Sequence, residues 1–282
     1  MTNLEKFRKG KYYHEIEKGM QEILFGVKIV CEERILSVER FYKDLDNEKY
    51  EFKTKDADFV IDMIQKTFVH SKGESVEGKP LMGEPFILEP WQKFIVYNLL
   101  GFYKKESIER RFKEAFIYLP RKNGKTLFVS ALSWALGILE RRSGSTVYIV
   151  GASLRQAMQS FDNIENNLCQ NLYDSKKEAV SDGWRIVDNN MEHVIENRDF
   201  SGGSLKIEAL AANPDKHDSL LSNIQICDEL HAYKNPKQYN VIRESGKSYT
   251  NKLCIGITTA GDDMHSFCYN RLQYAIKLLQ GS

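Results

Sequence analysis

Apolar residues arrive in two rhythms along this chain. Through roughly the first seventy positions they recur at helical intervals among lysines and glutamates, and Val60, Ile61, Ile64 and Phe68 fall on one face. That spacing predicts a helical N-terminal segment over 1–70 whose apolar face packs inward. Residues 71–84 carry three glycines and a proline with few apolar anchors, which predicts a linker or exposed loop. Beyond it, short apolar runs alternate with helical patterns. Strands are predicted at 115–119, 146–150, 205–210, 224–228 and 253–259, and helices at 125–140, 153–169, 237–247 and 266–280. Strand-helix alternation of this kind predicts an α/β domain with a mostly parallel central sheet, and such sheets bind ligands at the carboxyl ends of their strands.

Composition narrows the picture from outside. A chain of 282 residues with 42% apolar content can bury a large core. A net charge of +1 gives no bulk attraction for nucleic acid, so any such contact must come from a local cluster; Lys104, Lys105, Arg110, Arg111 and Lys113 form one, read as a solvated surface before a DNA contact. The five cysteines show no C-x-x-C spacing, which favours a reducing compartment without structural zinc. The longest apolar stretch, Leu127 to Leu139, contains two serines and is too short to span a bilayer.

The chemistry concentrates where predicted strands end. Behind Ala115-Phe-Ile-Tyr-Leu119 comes Pro120-Arg-Lys-Asn-Gly-Lys-Thr126, followed by a helical pattern. This is the layout of a phosphate-binding loop: backbone N–H groups around Gly124 face phosphate oxygens, Lys125 reaches the β/γ-phosphates, and the Thr126 hydroxyl ligates Mg²⁺. The usual first glycine is replaced by Leu119. About a hundred residues on, the run from Asn223 ends in Asp228 and Glu229. Asp228 is the expected magnesium-shell carboxylate, and Glu229, expected to point to the other side of the strand end, the general base for water. Thr258-Thr-Ala-Gly-Asp262 makes a polar break after another buried strand, suited to sensing a γ-phosphate or simply to turning the chain. Glu89-Pro-Trp-Gln-Lys-Phe94 reads as a helix start whose Gln92 has the paired donor and acceptor an adenine edge requires.

Taken in order, Pro-Trp-Gln (90–92), Pro-Arg-Lys-Asn-Gly-Lys-Thr (120–126), Cys-Asp-Glu-Leu-His (227–231) and Ile-Thr-Thr-Ala-Gly (257–261) resemble the ATPase half of the large terminase subunits of tailed bacteriophages, over roughly 85–265. That family's loop commonly carries a basic residue and no first glycine. The resemblance implies a P-loop NTPase fold of the additional-strand, catalytic-glutamate type, with ATP and Mg²⁺ as cofactors. It implies Gln92 at the adenine, Arg121, Lys122, Asn123, Gly124, Lys125 and Thr126 around the phosphates, with Arg121 and Lys125 taking part in catalysis. Asp228 would serve the metal, Glu229 would activate water, and Thr258, Thr259 and Ala260 would couple hydrolysis to movement. An arginine supplied across a subunit boundary is also implied, with Arg155 the first candidate and Arg243 the second. The implied partners are double-stranded DNA, a portal protein and a small terminase subunit. The implied setting is the cytoplasm of an infected host, with a ring forming at the procapsid portal from chains monomeric on their own. The family continues into a nuclease domain after the ATPase. Asp262 and Asp263 do not read as such a site, so the expected organisation is a helical segment 1–70, a linker 71–84, an ATPase core 85–265 and a terminal helix 266–282, without nuclease activity. The alternatives are a superfamily 2 helicase-like translocase, suggested by Asp228-Glu-Leu-His231, and a catalytically silent portal-binding scaffold.

Overall fold

The computed structural model describes residues 1–75, 77–212 and 220–281. The predicted linker and terminal helix thus each include one position, Val76 and Ser282, that lies outside the described residues. The chain divides into two units, one of residues 1–62, 88–113 and 271–282, the other of 63–87 and 114–270.

The first unit is built around aromatic side chains. Its elements are helices α1 (Asn3–Phe7), α2 (Tyr13–Leu24), α3 (Glu32–Leu45), the start of α4 (Lys55–Thr67) and α5 (Pro90–Gly101), with strands β1 (Tyr50–Phe52) and β2 (Phe102–Lys104) paired antiparallel. Phe7, Phe41, Phe52 and Phe102 are fully buried and meet edge to face, Phe7 against Phe41 at 5.4 Å and Phe52 against Phe102 at 4.9 Å between ring centroids, the geometry the ring quadrupole favours. Asn3 ties the opening helix down, its side-chain amide donating to Leu45 O and Tyr50 O and its oxygen accepting from Phe52 N.

The second unit is a seven-stranded sheet with helices. In chain order come β3 (Glu114–Tyr118), α6 (Lys125–Glu140), β4 (Ser145–Gly151), α7 (Leu154–Asn167), α8 (Lys176–Ser181), β5 (Arg185–Asp188), β6 (His193–Asn197), β7 (Leu205–Ala211), β8 (Ile224–Asp228), α9 (Pro236–Glu244), β9 (Leu253–Thr258) and α10 (Phe267–Gln280), whose later turns belong to the first unit. The sheet runs β3-β9-β8-β4-β7-β6-β5, parallel from β3 to β7, with β6 and β5 antiparallel. Strands β4, β8 and β9 are buried nearly throughout, which is why they read as continuous apolar runs rather than alternating ones. α6 is buried along almost its whole length and packs on β4, β7 and β8, so its sequence is apolar on every side.

One ordering decides the fold type. β9, which carries the polar break, is inserted between β3, which carries the loop, and β8, which carries the acidic pair. That inserted strand is the additional strand of the expected P-loop class. Each predicted strand is present within a residue or two, and the antiparallel β5–β6 pair adds to them. No helix among the described residues is long and apolar enough to cross a membrane.

Candidate active site

Parallel pairing brings four strand ends to one edge, since Tyr118 lies opposite Thr258, Asp228 opposite Ile257, and Gly151 opposite Asp228. The loop after β3 closes over them. Lys122 and Gly124 both have φ 66°, and Gly124 is the N-cap of α6; this left-handed backbone makes the sharp entry into the helix, and only glycine adopts it without cost. Asn123 braces the turn from within, donating from its amide to Pro120 O and Arg121 O, each at 3.2 Å. Leu119, which stands where the usual loop has its first glycine, donates its N–H to Thr258 O at 3.0 Å, so the start of the loop is held by sheet pairing instead.

The two carboxylates converge on one ammonium. Lys125 Nζ contacts Asp228 Oδ1 and sits 2.9 Å from Glu229 Oε1, with Lys125 8% and Asp228 3% exposed. The expectation that Glu229 points to the other side of the strand is therefore corrected. Its backbone turns left-handed (φ 55°) directly after β8, its N–H donates to Asp228 Oδ1 at 2.8 Å, and its side chain is swung back beside its neighbour's. Burial pushes the Asp228 carboxyl above the usual range, and the adjacent Lys125 charge opposes that shift. Glu229 Oε2 is buried without a hydrogen bond, although His231 Nδ1 lies 3.1 Å away.

A cavity of about 350 Å³ lies above this cluster, lined by Arg121, Lys122, Lys125, Thr126, Glu229 and Thr259 among others. Gln156 and His231 also line it, and neither has a role assigned from sequence. Gln156 arrives through a capping box, its side chain accepting from Ser153 N at 3.0 Å at the start of α7. Thr258 is fully buried and its hydroxyl is turned inward to His231 and Thr259 O, leaving Thr259 as the threonine that faces the cavity; Ala260 is exposed. Gln92 belongs to the first unit, where it is 3% exposed and its side-chain oxygen accepts from Glu89 N at 2.8 Å, capping its own helix. Arg155 is exposed and makes no ion pair among the described residues, whereas Arg243 is 3.5 Å from Glu114 and 3.2 Å from Glu244. The basic cluster is largely neutralised within its own unit: Lys104 and Lys113 pair with Glu109, Arg110 with Asp56, and Arg111 with Asp44.

The donor set fits a hard cation. Asp228 and Thr126 offer oxygen, and no group of three or more His, Cys, Asp or Glu able to hold a metal is found among the described residues. Mg²⁺ is commonly bound through one or two protein oxygens with phosphate oxygens and water completing its octahedron, so a two-ligand site is sufficient for a nucleotide-borne ion.

The family model of the terminase large subunit, ATPase domain, matches residues 90–277. Among solved structures, the large terminase of bacteriophage HK97 is similar with a TM-score of 0.56 at 18% identity, covering 79% of this chain and 41% of that one. Weaker likenesses are to the large terminase ATPase domain of Thermus phage P74-26 (TM-score 0.41, 15% identity, 58% of this chain and 64% of that one) and to the large terminase of a thermophilic bacteriophage solved in complex with ATP-γ-S (0.40, 13%, 62% and 39%). The chain spans less than half the length of the HK97 protein, and at such identities the likeness is one of fold. No curated protein matches.

Proposed function

Because this chain belongs to the terminase large subunit ATPase-domain family, we propose that it hydrolyses ATP to drive double-stranded DNA into a procapsid. The observation that carries the reading is the single ammonium of Lys125 set between Asp228 and Glu229 beneath the loop. A triphosphate competes for that ammonium, and its departure toward phosphate frees Glu229 to take a proton from water and Asp228 to serve the metal shell. Asp228 and Thr126 would hold Mg²⁺, which when bound neutralises charge on the β- and γ-phosphates. Arg121 and Lys122, exposed on the cavity wall, supply further positive charge for the phosphates. Thr258, Thr259 and Ala260 are assigned to coupling.

Arg155 is the proposed trans arginine. What supports it is exposure together with the absence of an ion pair among the described residues, since a group that must reach a neighbouring subunit's phosphate cannot be committed to its own chain. Arg243 is engaged by Glu114 and Glu244 and is the weaker candidate. The proposed partners are the portal, a small terminase subunit and further copies in a ring, in the host cytoplasm.

Steady-state ATP hydrolysis with and without double-stranded DNA tests the core of this reading. Glu229→Gln and Lys125→Ala are each expected to lower kcat by about 10²-fold or more, and EDTA to abolish turnover. Wild-type activity unchanged by either substitution would defeat the assignment.

A further inference from the structure

His231 is joined to three parts of the site at once. It follows Glu229 by two residues in a short 3₁₀ turn closed by Ala232 N donating to Glu229 O at 2.8 Å. Its backbone N–H donates to Thr258 Oγ1 at 3.1 Å, and its ring Nδ1 lies 3.1 Å from that same hydroxyl and 3.1 Å from Glu229 Oε2. Thr258 in turn gives its hydroxyl proton to Thr259 O at 3.0 Å, so the ring nitrogen is assigned the N–H, facing the Thr258 oxygen and the carboxylate together. Through its carbonyl, Thr258 also holds Leu119 at the start of the phosphate loop. The ring's place is guarded from the other side as well: a Cβ added at Gly261 would stand 3.1 Å from His231 Cβ and 3.8 Å from the ring.

We propose that His231 is a positioning residue that couples Thr258, at the end of β9, to the Glu229 carboxylate and sets which of its oxygens faces water. The inference rests on the reading of this cavity as an ATP-hydrolysing site. Glu229 has two oxygens with different tasks: Oε2, buried, faces the His231 ring N–H, and Oε1 meets Lys125 and is the one turned to water when the ammonium leaves. With the ring in place, a shift of β9 or of the loop attached to it moves Thr258, then the imidazole, then the general base. Without it, the carboxylate rotates freely about its last torsion and the distance to water is no longer fixed, a kind of error to which rates are sensitive.

The test uses the whole chain with ATP, measuring steady-state hydrolysis and, separately, the Kd of a fluorescent ATP analogue. His231→Ala is expected to lower kcat by about 10-fold or more while KM and Kd change by less than about threefold, the pattern of a missing transition-state interaction. His231→Asn, which keeps an N–H donor near the Nδ1 position, should recover much of the rate. Thr258→Val should lose a similar factor, and the double variant no more than either single one, because the two act as a unit. Full activity in His231→Ala, or losses in the single variants that multiply in the double, would overturn the proposal; so would an equal fall in nucleotide affinity, which marks a merely structural role. If wild type exceeds Glu229→Gln while His231→Ala matches wild type, only this inference fails. If wild type and Glu229→Gln share one background rate, the proposed function fails and takes this inference with it.

Discussion

Lys125 meets both carboxylates with one ammonium, the buried Asp228 and the half-buried Glu229, so its removal acts on folding as well as on chemistry. Lys125→Ala leaves Asp228 almost fully buried without its counter-charge, and breaking such a pair costs on the order of 3 kcal/mol. A lower urea midpoint than wild type is the expected result, with Glu229→Gln affected far less. Asn123 makes a different prediction. Its amide bonds Pro120 O and Arg121 O and does not line the cavity, so Asn123→Ala should loosen the loop and raise the KM for ATP by about five- to tenfold, equivalent to one hydrogen bond, with a smaller effect on kcat. At this scale the sequence is informative where the chemistry is contiguous. Arg121, Lys122, Gly124, Lys125 and Thr126 are neighbours in the chain, and local spacing is enough to find them. Gln156 enters the same cavity only because β4 ends beside β8, and the bond of His231 to Thr258 exists only because β8 ends beside β9; strand order is not written in residue spacing. The direction of Glu229 is illegible for a similar reason, since a left-handed glutamate has no sequence signal.

Elements are legible in proportion to how fully they are buried. The central strands β4, β8 and β9 have no solvent face, so each shows as an unbroken apolar run between polar turns. β5 and β6 give no such signal because the pair is short and polar, with Arg185, Asp188, His193 and Glu196 on the strands themselves and two of its ion pairs, Arg185 with Glu192 and with Glu196, at its surface. The close approach of α6 to the sheet is also hidden. A Cβ at Gly137 would stand 2.6 Å from Leu205 Cδ1 and 3.1 Å from Val147 Cγ2, so the helix rests on β4 and β7 through a bare backbone. Gly137→Val is expected to destabilise the protein by about 1–3 kcal/mol through overpacking. Because α6 begins at Lys125, the same variant should also weaken nucleotide binding, and a thermal melt with and without ATP would separate the two effects.

For the molecule as a whole, charge and stability frame what can be asked of it. With a net charge of +1 and most of the 104–113 cluster paired internally, reversing Lys104 and Lys105 to glutamate should leave DNA affinity and its salt slope unchanged; were these lysines seated on the duplex, the slope would flatten by about 0.9 for every phosphate no longer neutralised. Plasmid incubated with Mg²⁺ or Mn²⁺ is expected to stay intact, and linear or nicked product on a gel would overturn that expectation. The left-handed backbone at Glu229 has a consequence at this scale too. Glycine or asparagine would sit there with less strain, by about 1 kcal/mol, yet neither can serve as the base. Thermostability and turnover therefore pull this position in opposite directions, and any screen for hardier versions of the protein that scores melting alone will tend to collect inactive ones at residue 229.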